Sequence, residues 1–285
     1  MPTVYLNGEY LPLDQARISV LDRGFLFGDG VYEVIPAYDR KPFRLADHLR
    51  RLQHSLEGIR LDNPHTDTEW AERVAEMVRL SPWPDVGVYL QVTRGPGPRD
   101  HAFPVQVTPT VFLMPLELKA PPAALAETGV AAITAQDNRW LRCDLKATSL
   151  LANVLLRQLS VDAACAETIL VRDGWLMEGS ASSVFVVQDG VILAPPESHL
   201  VLPGITYEVV LELARAAALP LEVRPVSEAE LRQADEIWIT SSTKEIQAVT
   251  RLDGQSVGDG LPGPVYRRML AAYQDYKRTV MRGQP

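Results

Sequence analysis

The stretch Val4-Tyr5-Leu6-Asn7-Gly8-Glu9-Tyr10-Leu11 places an Asn-Gly pair between two short apolar runs. An Asn-Gly pair in that setting is the strongest short-range signal for a β-hairpin, because both residues tolerate the positive φ of a type I′ turn. Asp173-Gly174 and Asp189-Gly190 repeat the pattern between apolar runs at 169–177 and 184–193. Three hairpins imply much antiparallel pairing. We therefore expect an α+β fold with mixed, antiparallel-rich sheets rather than a doubly wound parallel sheet.

Periodicity and capping signals predict the helices. Leucine and isoleucine recur at three- and four-residue steps across 45–59, and Thr66 begins a capping box for a helix at 66–80. The segment 149–166 is long, apolar and rich in leucine and alanine, so we expect a mostly buried helix there. Further helices are predicted at about 205–219 and from about 264, and strands at 86–92, 110–114, 130–135 and 236–240.

The length of 285 residues suggests about two domains. The segment 116–128 contains Pro121-Pro122 and lacks clear periodicity, which is typical of a connection. We expect an N-terminal domain at 1–118 with a substrate-carboxylate loop and a linker at 119–128. The C-terminal domain at 129–285 is expected to carry the reactive lysine and a phosphate-binding turn.

Composition excludes several classes of protein. The net charge of −8, from 28 basic and 36 acidic residues, disfavours nonspecific nucleic-acid binding. No stretch approaches the roughly 20 apolar residues of a membrane helix, and the N-terminus lacks the pattern of a secretory signal. With two cysteines and no CxxC spacing, we expect neither a disulfide framework nor a metal site. The simplest compartment is a reducing cytoplasm.

Lys146 follows Arg139–Cys143, which we predict to be strand-like, and precedes the apolar helix at 149–166. Most lysines lie at the surface, where the stem covers apolar groups and the ammonium reaches water. In a dry pocket, a lysine amine loses its charge and can attack a carbonyl. This segment alone is compatible with both interpretations, and the surface lysine is the better supported of the two.

Two segments could bind a phosphate. Leu202–Thr206 is a glycine turn that opens a helix, where free N–H groups and the positive dipole end attract anions. Thr240–Thr243 is a polar run after a predicted strand. An ordinary helix start explains the first segment about as well, and a polar turn explains the second better when it is taken alone.

A Gly/Pro-rich loop, Thr93–His101, carries Arg99 and His101 two residues apart. This pair could hold a carboxylate, because arginine presents a planar fork of donors and histidine adds another. A solvated loop with incidental charges is the alternative. Glu33 and Glu178, each taken singly, fit exposed strand residues.

Five segments, in combination and in this order, resemble the signatures of fold-type IV pyridoxal-phosphate enzymes. They are Asp22–Glu33, Arg139–Lys146, Glu178–Ser182, Leu202–Thr206 and Thr240–Ser242. The resemblance covers nearly the whole chain. It implies two α/β domains with the cofactor in the cleft between them. It also implies a homodimer in which residues of one subunit can complete the site of the other.

The resemblance implies that Lys146 is the catalytic residue, which holds pyridoxal 5'-phosphate as a Schiff base. The cofactor-binding residues that it implies are Arg51, Lys146, Glu178, Ile205, Thr206, Ser241 and Ser242, with Arg51 at the phosphate and Glu178 at the pyridine nitrogen. Among members of this family, the D-amino-acid aminotransferases are most similar. That likeness implies that Tyr32, Arg99 and His101 hold the substrate carboxylate, and that a D-amino acid gives its amino group to a 2-oxo acid.

The chain departs from the family pattern at Tyr207, Ser183 and Pro36, which leaves the side-chain preference open. Three alternatives also remain. An L-branched-chain aminotransferase or an aminodeoxychorismate lyase would use the same lysine and phosphate-binding turn. A non-catalytic binding protein could share the scaffold, although the presence of both Lys146 and Glu178 argues against it.

Overall fold

The chain divides into two compact units. The structure is a computed structural model that describes residues 1–106 and 108–284. Unit 1 comprises Met1–Lys119 and Leu145–Leu150, and unit 2 comprises Ala120–Asp144 and the chain from Leu151 onward. Lys146 therefore belongs to unit 1, whereas the sequence analysis places it in the C-terminal domain.

Among the described residues of unit 1, six strands form one sheet in the order β2-β1-β6-β5-β3-β4, and every neighbouring pair is antiparallel. The strands are β1 Thr3–Leu6, β2 Glu9–Pro12, β3 Gly30–Tyr38, β4 Lys41–Pro42, β5 Val86–Thr93 and β6 Thr110–Glu117. The α-helices are α1 Arg23–Phe27, α2 Leu45–Gly58 and α3 Asp67–Leu80, and a 3₁₀ turn spans Leu13–Gln15.

The predicted first hairpin is confirmed. β1 pairs with β2 in the register Tyr5↔Tyr10 and Leu6↔Glu9. Asn7 has φ 49° and Gly8 has φ 103°, so both turn residues adopt the positive φ that the sequence allows. The Asp-Gly pairs at 173–174 and 189–190 also have positive φ at both residues and connect antiparallel strands.

The core of unit 1 lies between the sheet and helices α2 and α3. The leucine stripe of α2 is buried as predicted, with Leu52 and Leu56 fully inaccessible. Helix α3 contributes Trp70 and Met77, and the predicted capping box between Thr66 and Glu69 is present. The burial of these apolar side chains is the main favourable contribution to folding of this unit.

The described part of unit 2 contains nine strands in one sheet, in the order β12-β11-β10-β13-β14-β7-β8-β9, with β15 beside β14. The strands are β7 Val130–Gln136, β8 Glu167–Arg172, β9 Trp175–Gly179, β10 Ser183–Gln188, β11 Val191–Ala194, β12 Leu221–Val223, β13 Glu236–Ser241, β14 Glu245–Leu252 and β15 Gln255–Ser256. The α-helices are α4 Leu125–Thr128, α5 Leu151–Asp162, α6 Ile205–Ala216, α7 Glu228–Arg232 and α8 Pro264–Tyr276. A short π-helix at Lys277–Met281 follows α8.

The expectation that the 149–166 helix is mostly buried is wrong for the chain by itself. Within α5 only Leu156 and Ser160 are buried, whereas Leu151 is 72% exposed. The helix contacts the sheet along one narrow stripe, where the Thr168 hydroxyl donates to the Leu156 carbonyl. An apolar sequence around the whole helix does not show how many of its faces pack against other elements of the chain. No helix within residues 1–106 and 108–284 is both long and apolar enough to cross a membrane.

The prediction that Arg139–Cys143 is strand-like is also wrong. This segment forms neither helix nor strand. Its backbone is held by a loop instead, since Cys143 N donates to the His199 carbonyl at 2.8 Å. The Arg139 side chain adds bonds to Asp137 and Glu178, so the segment is ordered without a strand partner.

Glu236 joins β13 to the start of α8. Its carboxylate accepts hydrogen bonds from Val265 N at 2.9 Å, Tyr266 N at 2.7 Å and Trp238 Nε1 at 3.0 Å. The N-cap residue of α8, Gly263, has no side chain to supply these bonds. The strand glutamate therefore satisfies helix N–H groups that would otherwise be buried without an acceptor.

We predict that Glu236→Ala lowers the free energy of unfolding by about 3 kcal/mol, because three donors then lose their acceptor. Urea unfolding followed by circular dichroism measures this change. Glu9→Ala, at an exposed strand position, is the matched control and is expected to change stability by less than about 0.5 kcal/mol. Equal losses in the two variants would contradict the capping role.

Candidate active site

Lys146 lies beside the start of β3. Tyr32 N donates to the Lys146 carbonyl at 2.9 Å, and Thr148 N donates to the Gly30 carbonyl at 2.9 Å. The Lys146 ammonium nitrogen lies 4.4 Å from the centroid of the Tyr32 ring. Two residues that the sequence analysis assigns to one site, the reactive lysine and a substrate-binding tyrosine, are therefore in contact within unit 1.

The C-terminal part of α2 creates the space for this segment. A Cβ atom on Gly58 would lie 2.3 Å from Leu145 Cδ2, so a larger residue at this position would force the Leu145 side chain to shift. One turn earlier, the Ser55 hydroxyl accepts a hydrogen bond from Lys146 N at 3.1 Å. These contacts explain why 145–150 belongs to unit 1, although in sequence it lies between segments of unit 2.

Glu33 is completely buried, which excludes the exposed-strand interpretation. Arg51 grips it with a planar fork, Nε donating to Oε1 at 2.7 Å and Nη2 donating to Oε2 at 2.8 Å. His48 Nδ1 lies 2.8 Å from Oε2. Burial by itself raises the pKa of Glu33, but the charge and hydrogen bonds of Arg51, with help from His48, lower it well below its usual range. The carboxylate is therefore ionised and fixed.

The state of His48 follows from this pair. Burial lowers the pKa of His48, although Glu33 opposes that effect. The ring is therefore neutral near pH 7, and its Nδ1–H donates to Glu33. Its Nε2 is buried without a hydrogen-bond partner among the described residues. Arg51, predicted at the phosphate, thus directs at least part of its guanidinium to Glu33, and its phosphate role stays a prediction.

Arg99 and His101 are both exposed and both approach Phe27. The His101 ring centroid is 5.5 Å from that of Phe27, and Arg99 Cζ is 5.8 Å from the same ring. The structure therefore brings together the two loop residues predicted to hold a carboxylate. Among the described residues, neither makes a hydrogen bond or ring contact with Tyr32.

Glu178, near the end of β9, is buried, so the exposed-strand interpretation is wrong here as well. Arg139 Nη1 donates to its Oε1 at 2.5 Å, and Leu202 N donates to its Oε2 at 3.2 Å. Asp137 holds Arg139 through two bonds of 2.9 Å. Burial raises the pKa of Glu178, and the Arg139 charge only partly offsets that effect. A further cation beside Glu178 would therefore favour its ionised form.

Helix α6 begins at Ile205 after Gly204, and in the part of the chain that the structure describes its N-cap makes no side-chain hydrogen bond. The N–H groups of an uncapped first turn attract anions. Thr206, the second helical residue, is buried. A Cβ atom on Gly204 would lie 2.7 Å from Ser183 Oγ, so glycine allows the close approach of the β10 strand. Ile205 and Thr206 thus occupy the anion-attracting position that the sequence predicts.

Ser241 ends β13, and Ser242 begins the hairpin turn to β14. The Ser241 hydroxyl accepts a hydrogen bond from Lys244 N at 3.1 Å, which stabilises the turn. The preceding residue, Thr240, carries a buried hydroxyl with no partner among the described residues. The polar run is therefore a turn, as one interpretation expects, and it contains the Thr240 hydroxyl, which makes no hydrogen bond with the described residues.

A buried acid that no sequence pattern indicates, Glu167, connects the Ser180–Ser182 segment with the turn after β13. Its carboxylate accepts bonds from the hydroxyls of Ser180 and Ser182, the latter at 2.7 Å, and from Lys244 Nζ at 2.6 Å. Burial raises its pKa, but Lys244 and the serines lower it overall. No local signal links Glu167 with Lys244, because 77 residues separate them.

Comparison with known proteins decides the family. The family model "Amino-transferase class IV" matches residues 30–252. This chain belongs to the class IV aminotransferases. The match spans most of the chain and includes Lys146, Glu178 and the start of α6.

Three known proteins resemble this aminotransferase in sequence or in structure. It is 40% identical to the D-alanine aminotransferase of Bacillus licheniformis over 274 residues, which make up 95% of this chain and 96% of the relative. The branched-chain amino acid aminotransferase of Escherichia coli superposes with TM-score 0.89 at 26% identity, over 96% of this chain and 94% of that one. The branched-chain enzyme of Thermoproteus uzoniensis, solved with norvaline, superposes with TM-score 0.85 at 27% identity, over 98% and 95%. These likenesses confirm the predicted fold-type IV, α+β architecture.

We predict that Lys244→Met lowers the free energy of unfolding by about 3 kcal/mol at pH 7, because it leaves a buried carboxylate without its cation. The Glu167 pKa lies below its ordinary value of 4.5. The ion pair therefore contributes its full stability above about pH 4.5 and loses it as the pH falls toward the lowered pKa. The difference between wild type and variant should be largest at pH 7 and should shrink at pH 3.5.

Urea unfolding at several pH values measures that difference. Lys119→Met is the matched control, because Lys119 is exposed and pairs with Glu117 at the surface. It is expected to change stability little at any pH. A difference between Lys244→Met and wild type that does not vary from pH 7 to pH 3.5 would show that the charge of Glu167 is not what Lys244 stabilises.

Proposed function

We propose that this aminotransferase transfers the amino group of D-amino acids to 2-oxo acids and uses pyridoxal 5'-phosphate as its cofactor. The observation that carries the proposal is the contact between the Lys146 amine and Tyr32. The same unit has an exposed loop in which Arg99 and His101 both lie near Phe27. The likeness to D-alanine aminotransferases over nearly the whole chain supports the choice of donor.

The donor set of the chain fits pyridoxal 5'-phosphate. The uncapped start of α6, with Ile205 and Thr206, suits the phosphate, and the partnerless hydroxyl of Thr240 lies in the chain just before Ser241 and Ser242. The buried carboxylate of Glu178 suits a protonated pyridine nitrogen, and Lys146 supplies the amine that an aldehyde requires. When bound, the cofactor withdraws electrons from the α-carbon of the substrate amino acid.

Each protein group then has a definite task. The Lys146 amine would take the α-proton of the substrate as a general base and, as a general acid, deliver it to the cofactor carbon bonded to the same nitrogen. Glu178 holds a proton on the ring nitrogen, because the positive charge there lowers a carboxyl pKa that burial raises. Arg139 keeps the Glu178 carboxylate in place through its bond to Oε1.

The substrate carboxylate is assigned to Tyr32, Arg99 and His101. Arg99 supplies the positive charge and a planar fork that matches two carboxylate oxygens. A carboxylate fixed in this way leaves only one enantiomer with its α-hydrogen directed at Lys146, and we assign that enantiomer as D.

We infer that the active form is a homodimer. The exposed apolar side chains of α5 support this inference, because a row of such residues is typical of an interface. They are Leu151, Val154, Leu155, Leu159 and Val161. A second subunit also allows the exposed Arg99–His101 loop to serve the site of its neighbour.

The two free cysteines, Cys143 and Cys165, suit a reducing cytoplasm.

A second candidate is L-branched-chain transamination. It is favoured by the superposition on branched-chain aminotransferases, with a TM-score of 0.89 at 26% identity. A shared fold does not determine the substrate, which depends on the groups in the site. The two candidates differ in the handedness of the donor, so kinetics with both enantiomers separates them.

We predict that Lys146→Ala lowers transamination by roughly a thousandfold or more, since it removes both the covalent anchor and the base. The variant should also lose the absorbance band of the lysine-bound cofactor. Borohydride reduction of the wild type should fix the cofactor to a peptide that contains Lys146. Lys119→Ala, at an exposed lysine, is the control and should retain activity. Cofactor fixed to any other peptide would refute the assignment.

We predict that kcat/KM for D-alanine exceeds that for L-alanine and L-leucine by roughly 100-fold, because a site that fixes the carboxylate presents one α-hydrogen to the base. The measurement is oxo-acid formation by the purified holoenzyme with 2-oxoglutarate as the acceptor. Preference for L-leucine would instead establish the branched-chain candidate.

A further inference from the structure

Arg23, at the start of α1, holds the backbone of the Arg99–His101 loop. Its Nη1 donates to the carbonyls of Asp100 at 2.5 Å and Ala102 at 3.3 Å, and its Nη2 lies 3.4 Å from the His101 carbonyl. One guanidinium therefore contacts three consecutive carbonyls. No other described residue donates a hydrogen bond to any of these three oxygens.

The Arg23 side chain is itself fixed. It is 3% exposed, and its Nε donates to Asp29 Oδ2 at 2.8 Å. Asp29 is also gripped by the fork of Arg94, through bonds of 2.8 Å and 3.1 Å. Burial raises the pKa of Asp29, but its bonds to the two arginines lower it overall. Asp29 therefore remains ionised and orients Arg23 toward the loop.

Arg94 connects this cluster to the two residues that follow α2 in the same unit. Its Nη2 donates to the Ile59 carbonyl at 2.6 Å, and its Nη1 donates to the Arg60 carbonyl at 3.1 Å. Through Asp29 and Arg94, Arg23 is thus linked to the C-terminal end of α2. The loop is attached to the core of unit 1 rather than to another exposed segment.

The same short helix supports the side chains of the loop. Phe27, at the end of α1, lies 4.8 Å from Arg23 Cζ, 5.8 Å from Arg99 Cζ and 5.5 Å from the His101 ring centroid. Asp22 fixes the other end of α1, since its carboxylate accepts hydrogen bonds from Gly24 N at 2.8 Å and from the Thr93 hydroxyl at 2.7 Å. Helix α1 therefore fixes both the backbone and the side chains of the loop.

We propose that Arg23 is a positioning residue for substrate binding, which fixes the Asp100–Ala102 backbone so that Arg99 and His101 meet the substrate carboxylate. The inference rests on the proposed function. An exposed loop that lacks its anchor samples many conformations, and each binding event must then order it. Lysine cannot replace Arg23 fully, because an ammonium offers a single donor atom where the guanidinium reaches three carbonyls and Asp29.

The test uses the holoenzyme of Arg23→Met and Arg23→Lys. Asp29 keeps the Arg94 fork in both variants, so neither leaves this partly buried carboxylate without a cation. We expect KM for D-alanine to rise roughly tenfold in Arg23→Met and less in Arg23→Lys, with kcat changed less than KM. Affinity of the apoenzyme for pyridoxal 5'-phosphate should stay unchanged, which a general loss of structure would not allow.

Arg73→Met is the matched control for these variants. Arg73 lies in the same unit and also bonds a backbone carbonyl, that of Glu69 at 2.8 Å, and its contacts with the described residues do not involve the loop. Urea unfolding compares the stability of all three variants. KM should be normal in Arg73→Met even where its stability is lowered, and a KM that follows stability across the series would overturn the proposal.

A double-mutant cycle with Arg99→Ala decides whether Arg23 acts through the loop. In the Arg99→Ala background, Arg23→Met should raise KM little further. Independent, multiplicative effects would overturn the proposal, as would a normal KM in both single Arg23 variants. If Arg99→Ala alone leaves KM unchanged while Arg23→Met raises it, the loop is not what Arg23 positions.

Failure of the proposed function has a different signature. A wild-type enzyme that prefers L-leucine refutes D-selectivity by itself, before any variant is examined. The same cycle is then measured with L-leucine, whose carboxylate needs the same grip. Coupling between Arg23 and Arg99 would still support the positioning role, and absence of coupling would still overturn it.

Discussion

A buried carboxylate must be matched by cations or N–H donors, and this constraint fixes the geometry of both units. Glu33 is held by Arg51, Glu178 by Arg139 and Glu167 by Lys244. Each pair would cost several kcal/mol if one partner were lost, because an unpaired charge would remain in a poorly solvated place. Side chains restrained in this way can hold reacting groups in one arrangement.

The two units contribute different chemistry. Unit 1 carries the Lys146 amine, its contact with Tyr32 and the loop with Arg99 and His101. Unit 2 carries the buried acid Glu178 and the uncapped start of α6. The lysine belongs to unit 1 although neighbouring segments of chain belong to unit 2, because the backbone of 146–148 bonds to β3. Sequence order alone therefore does not show that Lys146 packs with unit 1.

The common fold and the choice of substrate have separate origins. The sheet architecture is shared with branched-chain aminotransferases, as the superpositions show. The loop that we assign to the substrate carboxylate lies outside the regular elements, and its conformation depends on contacts with α1. Change in such a loop can alter substrate choice at little cost to the core, which is why fold likeness leaves the donor open.

The sequence by itself determined the hairpins, the capping box of α3, the leucine stripe of α2 and the aminotransferase family. Each of these depends on residues a few positions apart, or on short segments that are distinctive in themselves. Only the tertiary structure decided that Glu33 and Glu178 are buried, that α5 is largely exposed and that 139–143 is not a strand. It alone showed the grip of Arg23 on residues 77 to 79 positions away. Burial and long-range pairing depend on which distant segments pack together, and no local pattern records that.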